Sequence, residues 1–314
     1  MPPVADTART TARTTARTVI PDLHADPHLL ARLLDLADPS VPLAFLGDFI
    51  DGAKRNTDPD DRAVLECVRG KVDDGALAVM GNHELNAILY HRLGKDGLAL
   101  RTHSERNKAQ HRSFVRQFGT ATPEALAWTD WFLTLPLWLD LGGLRLVHAC
   151  WSQPDIDLIA ARRPDARLTE GDLPEVAAGN SEFARAVLNL VTGPELPLPE
   201  GYAFHDAHGH KRQRVRIAWW RSSARRWRDA ALSVPHPDEL PDGLVPQSNE
   251  VAFYPKDAPP VLLGHYKMQG APRLEGPVTA CLDYPKTGCI YEWRGEKRLN
   301  PAHLRVPEQG DGTS

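Results

Sequence analysis

The sequence predicts an α/β fold, and three observations carry that prediction. From Thr18 onward, short apolar runs alternate with amphipathic helical stretches, as in folds whose strands are buried on both faces. The 314 residues are 42% apolar and 25% charged, enough material for one large core or two small ones. Residues with metal-ligand chemistry fall directly after the apolar runs, where ligands collect in α/β sheets.

Taken in order, Thr18 to Ile20 is a short strand halted by Pro21. Asp26 is placed to cap a helix that starts with Pro27 and carries Leu29, Leu30, Leu33 and Leu34 at helical spacing as far as Ala37. Val41 to Leu46 and Ala76 to Met80 are apolar strands. Residues 85–135 read as mostly helical, for example Ser104 to Phe118, with Trp128, Trp131, Phe132 and Leu135 recurring as a core face. Leu137 to Leu141 and Leu144 to Val147 flank Gly142-Gly143, the pattern of a β-hairpin that delivers the chain to His148. Ser152 to Ala258 is Pro-rich and reads as irregular apart from a few short elements. Within it, Val215, Ile217 and Trp219 alternate with Arg214, Arg216 and Ala218, as in a half-buried strand. Val261 to Leu263 is a further strand, and Val278 to Tyr284 is expected to pair with Gly288 to Trp293 as a closing hairpin.

Residues 1–17, which from Ala8 repeat Ala-Arg-Thr-Thr with almost nothing apolar, read as a disordered tail; residues 307–314 read as a polar one. Residues 18–306 are read as a single domain with insertions near 85–135 and 152–258. Lys and Arg number 37 against 41 Asp and Glu, a net charge of −4, so no chain-wide basic field attracts nucleic acid or anionic lipid. Cys67, Cys150, Cys281 and Cys289 contain no C-x-x-C pair, which argues against a disulfide framework and a cysteine zinc site and for a reducing cytoplasm. No stretch approaches the roughly 18 to 20 apolar residues of a membrane span.

Five loops carry the chemistry: Asp22-Leu23-His24, Gly47-Asp48-Phe49-Ile50-Asp51, Gly81-Asn82-His83-Glu84, His148, and Gly264-His265. Glycines before Asp48, Asn82 and His265 let the backbone turn sharply out of the sheet. Carboxylates, an amide oxygen and imidazoles without thiolate suit manganese, iron or zinc. Two cations about 3.5 to 4 Å apart can share a carboxylate and offset the charge of a phosphoryl group. Asp48, following the strongest strand, is the natural bridge, and His83 is a candidate proton donor. The interval from Asp48 to Asn82 leaves room for one helix and one strand, a single crossover unit.

In this order the motifs resemble those of the calcineurin-like metallophosphoesterases, and more narrowly the phosphoprotein phosphatase branch and its bacterial relatives. The resemblance spans Asp22 to His265. It implies a four-layer α+β arrangement of two mixed β-sheets between helices. It implies that Asp22, His24 and Asp48 hold a first metal and that Asp48, Asn82, His148 and His265 hold a second. His83 becomes the general acid, oriented by Asp51, while a metal-bridging hydroxide attacks phosphorus without a phosphoenzyme intermediate. Two divalent ions are the expected cofactors, manganese first, with iron or zinc as alternatives.

The sequence also departs from that branch. Where Arg usually follows the second Asp, this chain has Gly52, so Arg55, Arg101 and Arg221 are the candidates to grip phosphate. The usual Asp-x-His-Gly ends in Ala25, and the usual His-Gly-Gly reads His148-Ala149-Cys150. The expected activity is hydrolysis of phosphomonoesters, including phosphoserine and phosphothreonine in proteins. The expected partner is a phosphorylated protein, nucleotide or small phosphoester, with neither nucleic acid nor membrane. One alternative is hydrolysis of nucleotide polyphosphates such as diadenosine tetraphosphate, with the basic, Trp-containing segment from Lys211 to Arg228 stacking bases. Another is a metal-retaining binding or sensing module without turnover, which Gly52 keeps open. The His205 to His210 cluster reads as a polar loop.

Overall fold

A computed structural model describes residues 16–52, 56–206, 209–245 and 251–308. Most of both expected tails, and Arg55, lie outside the described residues. The first strands are β1 (Arg17–Ile20), β2 (Leu43–Phe45), β3 (Leu77–Ala78), β4 (Trp138–Asp140) and β5 (Arg145–Val147). There follow β6 (Glu195–Pro197), β7 (Phe204–His205), β8 (Lys211–Arg212), β9 (Arg214–Ile217) and β10 (Ala231–Leu232). The last are β11 (Val261–Leu263), β12 (Thr279–Cys281), β13 (Ile290–Trp293) and β14 (Leu304–Arg305).

Two mixed sheets pack face to face. One has the order β14-β13-β1-β2-β3, with β1 parallel to β2 and antiparallel to β13; the other has the order β12-β11-β5-β4, with β11 parallel to both β5 and β12. Strand periodicity decides what lies between them. Val19, Ala44 and Tyr291 from the first sheet meet Leu146, Leu262 and Ala280 from the second in one buried cluster. The alternate residues Ile20, Phe45 and Ala78 face away from that cluster into a larger helical core. That core receives α1 (Pro27–Leu36) through Leu29, Leu30 and Leu33, and α2 (Asp61–Asp73) through Val64, Leu65 and Val68. The Asp26 carboxylate accepts the N–H of Leu29 and caps α1, as the sequence predicts.

The expected helical stretch consists of α3 (Asn82–His91), α4 (Glu105–Gln110), α5 (Arg112–Phe118) and α6 (Pro123–Leu133), with Trp128, Trp131, Phe132 and Leu135 buried. The Gly142-Gly143 hairpin forms as β4 and β5. The closing hairpin does not. Thr279 instead pairs parallel with Val261, and Tyr291 pairs antiparallel with Val19, so the chain crosses from one sheet to the other between β12 and β13. Both strands are buried throughout, a condition that a two-stranded ribbon cannot meet. The segment after Ser152 is also more helical than expected, with α7 (Gln153–Arg162), α8 (Leu173–Ala178) and α9 (Glu182–Thr192) before the short α10 (Trp227–Ala230). Among the described residues, no helix is long and apolar enough to cross a membrane.

Candidate metal centre

Five parallel-strand ends from both sheets empty into one crevice. Asp22 and His24 follow β1, Asp48 and Asp51 follow β2, Asn82 and His83 open α3 after β3, His148 follows β5, and His265 follows β11. The backbone there is unusual: His24, Asp48, Asp51 and His265 have φ of 46°, 53°, 70° and 73°. Left-handed conformations in L-residues cost energy and persist only where surroundings fix them, so strain is concentrated in these loops. Part of the fixing comes from Glu84. Its buried carboxylate accepts the N–H groups of Asp48, Phe49 and Gly81 at 2.8, 2.8 and 3.0 Å, tying two loops together. Gly264 allows the sheets to meet, since a Cβ there would lie 1.9 Å from Asp22 Oδ1.

Asp48 stands at the middle with one oxygen toward each side. Oδ1 lies 3.4 Å from His148 Nε2, and Oδ2 lies 3.7 Å from His24 Nε2 and 3.9 Å from His83 Nε2. Asp22 Oδ2 is 3.8 Å from His24 Nε2. On the Oδ1 side, Asn82 Oδ1 lies 2.7 Å from His265 Nδ1 and 3.1 Å from His148 Nε2. Ligands about 2.1 Å from one metal at right angles stand about 3 Å apart, so this spacing suits a shared cation. Two trios, His24-Asp48-His83 and Asp48-His148-His265, each bring one ligand atom per residue within 4.8 Å of one another.

The donor chemistry also fits a cation. His148 Nδ1 donates to the carbonyl of Leu46 at 2.7 Å, so the neutral ring points a lone pair from Nε2 at the oxygens of Asp48 and Asn82. Something positive must sit between them. Without a metal that would be a proton: burial opposes it, yet Asp48 raises the His148 pKa to about 10. Burial likewise raises Asp48, but His148, His83 and His24 together hold its carboxyl well below the usual range.

Beside this centre His83 Nδ1 donates to Asp51 Oδ2 at 2.8 Å, leaving Nε2 facing the crevice. Arg101 approaches the same region. Its Nη2 donates to Gln110 Oε1 at 2.9 Å, and Gln110 Nε2 lies 3.4 Å from His83 Nε2. Arg221 is placed elsewhere: it pairs with Glu275 at 3.6 Å and lines a cavity of about 400 Å³ with Thr279, at the start of β12. Arg216 belongs to the basic face that the sequence shows in the 211–228 segment, though it was not among the three arginines expected to grip phosphate. This half-buried residue on β9 pairs with Glu195 at 3.6 Å, and after burial its charge is the leading cause that pushes His265 well below its usual pKa. Its signal was there in the alternation of β9, where Val215 and Ile217 are buried and Arg216 lies on the other face.

Gly52 has a packing cause. A Cβ at this position would meet the carbonyl oxygen of His24 at 2.4 Å and Pro59 Cβ at 2.8 Å. Trp219, Trp220 and Trp227 are buried, and Trp220 lines the cavity beside Arg221. His205 and Asp206 are tied to Glu239 and Arg212, as a polar loop would be; Ala207 and His208 lie outside the described residues.

Paired sheets that send oxygen and nitrogen donors to one shared edge define a metal-dependent phosphoesterase. The chain matches the calcineurin-like phosphoesterase family over residues 17–286 and belongs to that family, which uses divalent metal ions. Among solved structures, a metallophosphoesterase from Sphaerobacter thermophilus is 24% identical over 43% of this chain and 47% of its own, with a TM-score of 0.31. A protein serine/threonine phosphatase from Saccharomyces cerevisiae is 13% identical over 95% of this chain and 80% of its own, with a TM-score of 0.41. A cold-active protein-tyrosine phosphatase of a psychrophilic Shewanella species is 13% identical over 94% and 80%, with a TM-score of 0.40. At these scores the likenesses carry no argument about substrate. No curated protein matches the chain.

Proposed function

We propose that the chain hydrolyses phosphomonoesters, phosphoserine and phosphothreonine in proteins among them, with two divalent cations of which manganese is the first choice. Asp22, His24 and Asp48 hold one ion; Asp48, Asn82, His148 and His265 hold the other. The observation that carries this reading is Asp48, buried between two groups of donors with one carboxylate oxygen turned to each. When bound, the ions supply an activated water and offset the charge of the phosphoryl group.

The chain's own groups do the rest. His83, fixed at Nδ1 by Asp51, presents Nε2 to the leaving oxygen and protonates it. Arg216 and Arg101, approaching through β9 and through Gln110, are the cations that grip phosphoryl oxygens where Gly52 cannot. Because the site draws on Asp22 through His265, residues 18–306 are read as one domain. The four unbridged cysteines suit a reducing cytoplasm.

The test is hydrolysis of an aryl phosphate by the chelated protein after reloading with manganese, iron or zinc, alongside Asp48→Asn. Manganese-dependent turnover that the variant lacks is the expected result. An Asp48→Asn chain that binds two ions and turns over normally would falsify the assignment. Phosphate released from a phosphopeptide supports the monoesterase. A nucleotide released from diadenosine tetraphosphate, with no phosphopeptide activity, transfers the site to polyphosphates, and metal binding without any turnover makes the chain a sensing module.

A further inference from the structure

Two buried histidines behind Asp51 play no part in the reaction above. Asp51 Oδ2 faces His83, and Asp51 Oδ1 faces His111 Nδ1 at 2.8 Å. The other ring nitrogen of His111, Nε2, lies 3.0 Å from His91 Nε2. His91 Nδ1 in turn accepts the backbone N–H of Ala121 at 2.9 Å. His91 closes α3, the helix that Asn82 and His83 open, and His111 forms the junction of α4 and α5.

One backbone amide fixes the protons along this row. An amide N–H only donates, so His91 Nδ1 carries no proton, and the neutral ring carries its proton on Nε2. Burial, and then His111, His103 and Arg92, keep that ring neutral, with its pKa pushed down to about 3. Two ring N–H groups cannot face each other at 3.0 Å, so His111 Nε2 is the acceptor. His111 therefore carries its proton on Nδ1 and donates it to Asp51 Oδ1. The ring cannot swing away, because Phe114 stacks on it at 4.8 Å and Tyr90 closes the other approach at 5.0 Å. The N–H of Asp51 is held as well, by Asp61 Oδ1 at 2.8 Å.

We propose that His111, fixed in its Nδ1–H form by His91, is a positioning residue that turns the Asp51 carboxylate so that Oδ2 meets His83. The role rests on the reading of His83 as donor to the leaving group. A merely structural pair would affect all substrates alike. A positioning pair affects most the esters whose leaving oxygen needs a proton.

The experiment uses the metal-loaded full chain and two substrates, an alkyl phosphate and 2,4-dinitrophenyl phosphate. His111→Leu should lower kcat for the alkyl ester at least about tenfold and for the dinitrophenyl ester less than about threefold, with the ions retained. His111→Asn, whose amide nitrogen sits near the place of Nδ1, should restore most of the difference. Because a buried ring is hard to remove without unfolding, the nitrogen-15 spectrum of the histidine rings in the unsubstituted protein gives a second reading. The His111 ring should show a protonated Nδ1 and a bare Nε2, and of the rings in that form, His83 and His148 among them, His111→Asn should abolish this one signal. Equal losses on both esters without recovery in the Asn variant, or a protonated Nε2 on His111, overturns the proposal. A loaded, unsubstituted chain that turns over neither ester overturns the phosphomonoesterase reading, and with it this role.

Discussion

Replacing Gly264 with alanine tests whether the two sheets are joined at the metal centre. A Cβ there would lie 1.9 Å from Asp22 Oδ1, and ordinary contact begins at 3.4 Å, so the carboxylate must retreat by about 1.5 Å. Metal–ligand distances tolerate about 0.2 Å, so Asp22 can no longer serve as a ligand. Both Asp22 oxygens also lie 3.1 Å from the N–H of His265, and losing a charged acceptor of this kind costs about 1.5 to 3 kcal/mol. For a chain of this size that corresponds to a fall in Tm of roughly 3 to 6 °C. The assay is metal content after dialysis, together with thermal unfolding and aryl phosphate turnover. Gly243→Ala is the control, because a Cβ at that position meets nothing within 4 Å. A Gly264→Ala protein that keeps two ions at unchanged affinity and full turnover would refute the argument.

Arg216→Ala should lower kcat/KM for a phosphomonoester by about 10- to 100-fold with metal content unchanged, while Arg221→Ala, placed at the β12 cavity, stays within about twofold; steady-state kinetics on both variants decides this. Gly52→Arg, which restores the usual residue of the phosphatase branch, should lose activity and about 1 to 3 kcal/mol in urea unfolding, because its Cβ would stand 2.4 Å from the His24 carbonyl. Asp172 accepts Arg163 at 2.7 and 2.9 Å and the N–H of Thr169 at 2.8 Å, so Asp172→Asn should cost about 1 to 3 kcal/mol at pH 7. Burial raises its carboxyl, but Arg163 and Thr169 outweigh that and hold it below the ordinary value. A lowered pKa stabilises fully above the unfolded value near about 4 and is lost as pH falls through the folded one. The difference in Tm between the two proteins should therefore close below about pH 4; a gap that persists into strong acid contradicts the pairing.

The loops that meet at the crevice were legible because each candidate donor is close in sequence to the strand that positions it, as Asp48 is to β2 and His265 to β11. What could not be read was anything decided by which strands become neighbours. The strands β12 and β13 are buried throughout, and a run buried on both faces carries no exposed-buried alternation to say which sheet it joins. The helices after Ser152 were hidden by prolines, yet Pro154 and Pro174 stand in the first turns of α7 and α8, where proline starts a helix rather than breaking it. The tryptophans between the arginines of the 211–228 segment turned inward, and no local pattern distinguishes a buried indole from one that awaits a base. His91 and His111 had no motif at all, since their meaning lies in a row formed by three helices and one turn.

Gly52 and Arg216 make sense together within the proposed reaction. The loop after Asp51 passes so close to His24 that residue 52 has no room for any side chain, and His24 itself is held in a left-handed conformation beside Asp22 and Asp48. A guanidinium on that loop would have to displace the backbone that sets a metal ligand, so gripping phosphate and holding metal would compete for the same few ångströms. Arg216 avoids the conflict. It sits on β9, between β6 and β10, and its strand is fixed by pairing on both sides while its charge is felt at His265. A cation carried on a paired strand can be aimed independently of the loops, so in the proposed reaction the two groups of donors would stay on either side of Asp48 while a separate element would grip the phosphoryl group.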